Sequence, residues 1–335
     1  MKESRGNSVK RFGIGHTTLV VLLSTAAILL LLGPQFLNLY WLRILSTVFM
    51  FATLAQAINI ITGYTGYPAF GNVVFFGLGG YTTAIVMVRY GGSFALGLLS
   101  AVIVCIVFAV VFGRPLLRLR GHYFAIATLG LNEATRAIIN NLTDLTGGGM
   151  GLSLPLPPGV VSFNSAFFYY LLFGVMVLSI LVTYLISVCR MGYACRAIRD
   201  NEIKAESMGI HTTRHKMLAW SISAALTGLV GGINAYWLSY IEPPAVFDMT
   251  IAVKSFVMYL IGGPGTVLGP IFGAFFIELV GTFAWSNLLN YHVGIMGAII
   301  VMVVVLMPDG FAAFVRDRVS GTALLRTRKQ PNGEE

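Results

Sequence analysis

Long apolar stretches alternate with short polar ones along almost the entire chain. Most of the apolar stretches approach the roughly 20 residues that a helix needs to cross a bilayer, and an unbroken helix satisfies its own backbone groups in lipid. This is not the pattern of an outer-membrane barrel, which has short segments of alternating polarity. The predicted spans are residues 17–33, 42–61, 68–88, 94–113, 122–139, 166–189, 217–238, 251–262, 268–285 and 291–307. The sequence therefore predicts an all-α, polytopic transmembrane helical bundle with about 9–10 membrane segments. Some of them are discontinuous, because 251–262 is too short to cross alone.

Basic residues are concentrated in four of the polar stretches. Residues 1–16, 114–121, 190–216 and 308–335 together hold 18 of the 22 Lys and Arg. Cytoplasmic loops of membrane proteins carry such an excess of basic residues. We therefore expect a single membrane domain, residues 1–335, with a cytoplasmic tail at each terminus (1–16 and 308–335) and a cytoplasmic loop at 190–216.

Composition narrows the possible functions. Hydrophobic residues make up 56% of the chain and charged residues 10%, which excludes an ordinary soluble domain of this size. The formal net charge of +9 would suit nucleic acid, but the basic residues border the predicted spans, so no nucleic-acid partner is expected. The five histidines lack metal-ligand spacing, and no acid/base cluster accompanies them, which predicts neither an enzyme nor a metal site. The sequence also lacks a G-x-x-x-x-G-K-S/T phosphate loop, so the energy for any transport must come from a partner or from a gradient.

The longest polar stretch between two predicted spans is residues 190–216, which we call the polar segment. Its pattern predicts a helix over residues 194–208 with Gly209 as the C-terminal stop. A helical wheel places a narrow apolar stripe on one side, consisting of Ala194, Ala197, Ile198, Ala205 and Met208. So shallow a stripe favours insertion into a groove of a soluble partner. The alternative is a helix lying on lipid headgroups, which typically has bulkier aromatic anchors and more Lys. The candidate docking residues are Arg196, Ile198, Arg199, Asp200, Glu202, Ala205, Met208 and Gly209.

Two places in the chain share a pattern of Gly and Pro. We call residues 61–71, which contain Ile61-Thr-Gly63 and Pro68-Ala-Phe-Gly71, the first break. The second break, residues 261–273, contains Ile261-Gly-Gly263 and Pro270-Ile-Phe-Gly273. Paired breaks of this kind indicate discontinuous helices along a substrate path. Two ordinary helix-hairpin turns would give the same pattern, and the residues leave both interpretations open.

Polar side chains within the predicted spans are candidates for a translocation pathway, because charges are costly in hydrocarbon. The candidates are Gln56, Asn59, Asn72, Asn132, Glu133 and Glu278. Glu133 and Arg136 are three residues apart on one helix and can neutralise each other, and Lys254 can pair with Glu278. Structural pairing that fixes helix packing is the alternative in each case. The small residues of 77–80 and 228–232 are expected to permit close helix packing.

Three blocks of this sequence resemble a known family. They are Arg196-Ala-Ile-Arg199-Asp-Asn-Glu202 with Ala205-Glu-Ser-Met-Gly209, Arg120-Gly-His-Tyr-Phe-Ala-Ile-Ala-Thr-Leu-Gly130, and Ile261-Gly-Gly-Pro-Gly-Thr266 with Gly269-Pro-Ile-Phe-Gly273. Together they resemble the LivM-like permease subunits of the branched-chain amino acid ABC importer family, over most of residues 45–307. The wider importer motif E-A-A-x-x-x-G is matched only at Ala205 and Gly209, since Ile203 stands where its Glu belongs.

The resemblance implies a complex in the bacterial inner membrane. Its other members would be a second, related permease, cytoplasmic ATP-binding subunits and a periplasmic substrate-binding protein. The chain itself would need no cofactor, because the ATP is bound by the partner subunits. Branched-chain amino acids would move inward by alternating access, with the polar segment as the coupling loop. Urea or short amides are alternative substrates of related permeases, and a self-contained gradient-driven carrier or channel is the alternative outside this family.

Overall fold

The computed structural model describes residues 33–157 and 161–287, together with residue 297. The predicted terminal tails (1–16 and 308–335) and nearly all of the predicted spans 17–33 and 291–307 lie outside these residues. The helices in chain order are α1 (Leu39–Ile58), α2 (Val73–Val88), α3 (Phe94–Leu116), α4 (His122–Asn141), α5 (Thr143–Thr146), α6 (Val161–Val188), α7 (Arg190–Asp200), α8 (Glu202–Ser207), α9 (Thr212–Leu238), α10 (Pro243–Val246), α11 (Met249–Gly262) and α12 (Gly269–Asn287). The predicted all-α membrane bundle is confirmed.

Six stretches of the described chain are helical, long enough and apolar enough to cross a membrane. They are Leu39–Gly63, Phe70–Val88, Phe94–Leu116, Asn164–Val188, Thr212–Leu238 and Pro243–Gly262. The last of these contains the predicted short span 251–262. Asp248 caps α11, because its carboxylate accepts a hydrogen bond from the Thr250 amide at 2.8 Å, and α10 extends the stretch to 20 residues. The predicted span 122–139 coincides with α4, which is too polar to be among the six, and the span 268–285 coincides with α12, whose apolar part is shorter.

Close contact between helices builds the centre of the bundle. Helix α9 packs along α2 and α3, while α1 packs against α6, α11 and α12. At the crossing of α2 and α9, a methyl group on Gly79 would overlap the backbone of Gly228, and one on Gly231 would overlap the backbone of Phe76. The predicted packing role of the two glycine-rich stretches is therefore confirmed, because only the missing Cβ atoms allow this approach.

The bundle has two distinct ends, because α9 runs 27 residues from the polar segment to a small two-stranded sheet. In that sheet β1 (Leu152–Ser153) pairs antiparallel with β2 (Tyr240–Ile241). The connection between α5 and α6 supplies β1, and Gly147 at its start adopts a positive φ. We call this end of the bundle the sheet end and the opposite one the polar end.

Candidate coupling site

The polar segment forms two helices rather than the single helix predicted over 194–208. The backbone of Asn201 is extended, with φ −164° and ψ 108°, and it separates α7 from α8. Its side-chain oxygen accepts a hydrogen bond from the Lys204 amide at 3.0 Å, which caps α8. The prediction of a continuous helix is wrong because Asn is favoured as the N-cap of a helix rather than in its interior.

Gly209 ends α8 as predicted. It adopts φ +83°, its amide bonds to the Glu206 carbonyl, and the Ile210 amide bonds to the Ala205 carbonyl. This pair of hydrogen bonds is the Schellman arrangement, which needs a residue that tolerates positive φ. The end of α8 could be predicted from the sequence because only Gly adopts a positive φ there without strain.

The apolar stripe of the polar segment faces the protein's own bundle. Ala194, Ile198 and Ala205 are buried, and of the five predicted stripe residues only Met208 is largely exposed, at 83%. The expectation that the stripe inserts into a partner is therefore wrong for Ile198 and Ala205. The large apolar side chains that the segment does expose are Tyr193, Ile203 and Met208.

Two arginines of the segment also reach back to the bundle. Arg196 donates from Nη2 to the Ser187 carbonyl at 2.7 Å, at the end of α6, and its guanidinium stacks on the Tyr193 ring at 4.7 Å. Arg199 donates from Nη1 to the Gly63 carbonyl at 2.7 Å, within the first break. Of the other candidate docking residues, Asp200 is exposed and Glu202 is mostly covered.

Glu202 takes part in a buried ionic cluster at the polar end. Lys216 is 3% exposed, and its ammonium lies 2.6 Å from Glu202 Oε1, 2.8 Å from the Tyr67 hydroxyl and 3.0 Å from the Leu117 carbonyl. The Tyr67 hydroxyl donates to Glu202 Oε2 at 2.6 Å, and Arg120 Nε lies 3.6 Å from the same oxygen. An ammonium has three donors, and each has an acceptor here. The cluster joins the first break, the end of α3, the polar segment and the start of α9.

The charges in this cluster shift two pKa values. Burial alone would raise the pKa of Glu202, but hydrogen bonds from Lys216 and Tyr67, with the positive charges of Lys216 and Arg120, hold it below its usual value. Burial, reinforced by the neighbouring Glu202 carboxylate, raises the pKa of Tyr67 well above its usual value. Glu202 is therefore ionised and Tyr67 neutral at physiological pH.

Tyr67, Lys216 and Arg120 were not among the predicted docking residues. Lys216 stands at the start of an apolar run, and its charge looked like one more basic residue of a cytoplasmic loop. Tyr67 follows a glycine and precedes Pro68, a position that suggests only a turn. The one available signal was a lysine at a core-facing position of a helix. To use that signal, one must already know which side of α9 is covered.

The two Gly/Pro breaks are in direct contact. Asn59 donates from Nδ2 to the Thr266 carbonyl at 2.7 Å and accepts at Oδ1 from the Gly265 amide at 2.8 Å. Gln56 donates to the Val267 carbonyl at 2.7 Å. The chain at the first break is π-helical over Asn59–Gly63, which turns these polar groups toward the second break. Two pathway candidates therefore hold the breaks together, and their role in a pathway stays a prediction.

Two further pathway candidates bond to neighbouring elements. Asn72 donates to the Thr227 hydroxyl at 2.9 Å and accepts from Ser223, both on α9. Asn132 donates to the Phe247 carbonyl at 3.0 Å. Within the described residues, the buried oxygens Gln56 Oε1 and Asn132 Oδ1 have no hydrogen-bond partner.

The predicted charge pairs within the spans both form. Lys254 lies 2.5 Å from Glu278 and 4.2 Å from the Phe51 ring centroid, and Glu278 is 9% exposed. The Arg136–Glu133 pair, at 2.9 Å, is different because the side chains are 43% and 49% exposed. Glu278 is thus paired inside the bundle, whereas Glu133 lies on its surface.

Helix α4 carries that exposed pair between the two ends of the bundle. Arg120, just before α4, lies beside Glu202 at the polar end, and β1 follows α4 at the sheet end. Twenty residues of helix extend about 30 Å, the thickness of the hydrocarbon. The exposed face of α4 consists of Tyr123, Ile126, Gly130, Glu133, Ala134, Ala137 and Ile138. A half-exposed ion pair is costly against lipid, so this face requires water or protein beside it.

Comparison with known proteins gives a consistent result. Residues 40–304 match the family model described as branched-chain amino acid transport system / permease component. The chain is 28% identical over 298 residues to the high-affinity branched-chain amino acid transport system permease protein LivM of Salmonella typhimurium, covering 81% of this chain and 69% of that protein. The LivM of Escherichia coli matches equally, and LivH of Salmonella typhimurium is 21% identical over 287 residues, with 78% and 90% covered. No solved structure shows a significant match.

Proposed function

Because this chain belongs to the branched-chain amino acid transport system permease family, we propose that it is the membrane permease of an ATP-driven importer. Its relatives are transporter permeases, not enzymes. The observation that carries the proposal is the polar segment, which is anchored to the bundle by Arg199 and Glu202 while it exposes apolar side chains outward. A surface outside the spans that is tied to the bundle suits a soluble motor subunit.

The exposed surface of the polar segment is the proposed docking site for the cytoplasmic ATP-binding subunits. It presents Tyr193, Ile203 and Met208, which are 65%, 63% and 83% exposed. Large apolar side chains surrounded by charged ones are typical of the centre of a protein interface. In this proposal ATP is bound by the partner, and this chain supplies no cofactor site.

The proposed second partner is a related permease, which would cover the exposed face of α4. Both LivM and LivH, two permease proteins of the same transport system, are similar to this chain, which supports a pair of related permeases. Gly130 has open space around it, because a methyl group added there would have nothing within 4 Å, so a second helix has room to approach. The Glu133–Arg136 pair would then lie between two proteins rather than in lipid.

This arrangement locates the proposed pathway between the two permeases. Glu133 is its best-placed candidate, since it lies on the exposed face of α4. Gln56, Asn59, Asn72, Asn132 and Glu278 bond within the bundle and are candidates only if those bonds exchange during transport.

The proposed mechanism is alternating access driven by the partner ATPases. Their closure on ATP would move the polar segment, and the bundle would open toward the sheet end, where the periplasmic binding protein delivers its substrate. The excess of Lys and Arg in residues 1–16, 190–216 and 308–335 supports cytoplasmic termini and a polar end facing the cytoplasm of a bacterial inner membrane.

Branched-chain amino acids are the proposed substrates, on the strength of the relatives' names. The test is uptake by the purified complex in proteoliposomes, with ATP on the polar-end side and radiolabelled leucine with the binding protein on the other. We expect ATP-dependent accumulation that unlabelled isoleucine and valine inhibit and urea or acetamide does not. Inhibition by urea or acetamide would instead support an amide importer, and accumulation driven by an ion gradient without ATP would contradict the proposal.

A further inference from the structure

Side chains on either side of the Asn201 bend tie the polar segment to the breaks and to α9. Glu202, just after the bend, enters the buried cluster with Lys216 and Tyr67. Arg199, two residues before the bend, bonds to Gly63. These ties differ physically, because Lys216 is almost fully buried with all three donors satisfied, whereas Arg199 is exposed and makes one hydrogen bond to the bundle among the described residues.

Arg199 touches both breaks at the place where they meet. Its Nη1 lies 2.7 Å from the Gly63 carbonyl of the first break. A methyl group at Gly265 of the second break would lie 2.9 Å from the same Nη1, and one at Gly66 would lie 3.0 Å from Arg199 Cγ. Gly66 and Gly265 have φ of +77° and +75°, so glycine is favoured at both for the backbone as well as for the space.

From Arg199 a continuous set of contacts runs into the bundle. Asn59 bonds to Gly265 and Thr266 of the second break, and it lies at the start of the π-helical turn that ends at Gly63. The first break leads into α2 and the second into α12, so this one guanidinium contacts the chain that precedes both helices. A displacement of α7 would therefore act on the connections into two helices at once.

We propose that Arg199 is a positioning residue that transmits motion of the polar segment to the two breaks where they meet, at Gly63 and Gly265, while the Glu202–Lys216 pair, which also holds Tyr67 further along the first break, is the fixed anchor about which the segment moves. This inference rests on the proposed function, since it assumes a motor that moves the segment. A buried, fully paired ion pair resists displacement, because separation leaves a buried charge without a partner. A single hydrogen bond from an exposed arginine is exchanged at much lower cost.

The test compares the reconstituted wild-type complex with Arg199→Gln, Arg199→Lys and the control Arg118→Gln. Arg118 is exposed just after α3 and outside the polar segment, so its replacement removes a positive charge from the same end of the bundle without touching either break. The measured quantity is the number of substrate molecules transported per ATP hydrolysed. We expect Arg199→Gln to retain the ATPase subunits and ATP hydrolysis but to lower this ratio about tenfold or more. Arg199→Lys should recover part of it by donating to Gly63, and Arg118→Gln should match the wild type.

Several results would overturn the inference. An unchanged ratio in Arg199→Gln would show that the contact transmits nothing, and loss of the ATPase subunits from that variant alone would make Arg199 a docking residue instead. A wild-type complex that contains no ATPase would overturn the proposed function itself.

A measurement on the wild-type complex needs no variant. Hydrogen exchange of residues 196–201, 60–66 and 263–268 should change together when a non-hydrolysable ATP analogue is added. A change confined to residues 196–201 would overturn the inference.

Discussion

At the scale of single residues, the polar end depends on a lysine whose charge is out of contact with water. Lys216 is held by a carboxylate, a phenol and a backbone carbonyl from three different parts of the chain. Burying an ammonium is costly, and only complete pairing makes it tolerable. The sequence shows Lys216 and Glu202 only 14 residues apart in a loop, with nothing to indicate that a tyrosine from the first break completes the site.

Removing Lys216 alone should therefore destabilise the chain more than removing the charges of both Lys216 and Glu202. We expect Lys216→Met to destabilise the chain by up to about 3–5 kcal/mol, because Glu202 then remains mostly covered beside Tyr67 with only the exposed Arg120 as a counter-charge. The double variant Lys216→Met/Glu202→Gln should lose less stability than Lys216→Met. Thermal unfolding of the detergent-purified chain measures both, with Lys204→Met as the exposed control. Equal losses in the single and double variants would show that the two side chains are not coupled.

The lowered pKa of Glu202 predicts a dependence on pH. Stability contributed by a carboxylate with a depressed pKa is fully present above the unfolded value of about 4.3 and is lost as the pH falls through the folded value. The difference in unfolding temperature between the wild type and Glu202→Gln should therefore be constant near pH 7 and shrink from about pH 4 downward. A difference that stays constant down to about pH 3 would show that the ionisation of Glu202 contributes nothing.

At the scale of elements, the sequence predicted where the helices lie far better than it predicted what packs against them. Every predicted span within the described residues coincides with a helix, because long apolar runs have few other solutions in lipid. The helical wheel placed Ile198 and Ala205 on one side of the polar segment, as the structure does. Both side chains nevertheless face the bundle rather than a partner. A helical wheel shows which residues share a side, and it does not show what covers that side. The bend at Asn201 was missed for a similar reason, since the same residue type is tolerated within a helix and preferred as a cap.

The glycines of α2 and α9 give a prediction about element packing. Gly79→Ala should destabilise the isolated chain by about 1–3 kcal/mol, because the new methyl group meets the backbone of Gly228 and cannot be relieved by a side-chain rotation. Gly130→Ala is the matched control, since its methyl group meets open space and a helical Gly-to-Ala change is worth about 0.5–1 kcal/mol in favour of the helix. Thermal unfolding compares the two. Equal effects would contradict close packing at the α2–α9 crossing.

At the scale of the whole molecule, two surfaces remain that a lone chain in lipid does not explain. One is the exposed face of α4 with its Glu133–Arg136 pair, and the other is the outer side of the polar segment with Ile203 and Met208. The sequence alone suggested Glu133 as a pathway residue within a span. Its exposure follows from the fold, because the side of α4 that packs on the bundle is set by Phe124, Thr128 and Asn132.

Assembly with a second permease should depend on the α4 face. Gly130→Trp should abolish recovery of the second permease while leaving the thermal unfolding of the isolated chain unchanged, because the bulky side chain blocks only what approaches from outside. Ile103→Trp is the control, since Ile103 is 52% exposed on a different helix, α3. Retention of the second permease by Gly130→Trp would place the interface elsewhere.

The importer function itself is best tested by co-purification of ATP-binding subunits with the tagged chain from detergent-solubilised native membranes. The wild type is compared with the double variant Ile203→Asp/Met208→Asp, which places charges on the proposed docking surface and leaves the inward-facing stripe residues Ile198 and Ala205 intact. We predict that the wild type recovers an ATPase carrying a G-x-x-x-x-G-K-S/T loop and that the double variant loses it while retaining the second permease. Absence of such an ATPase from the wild-type sample, or its full retention by the double variant, would contradict the proposed coupling of this permease to a soluble motor.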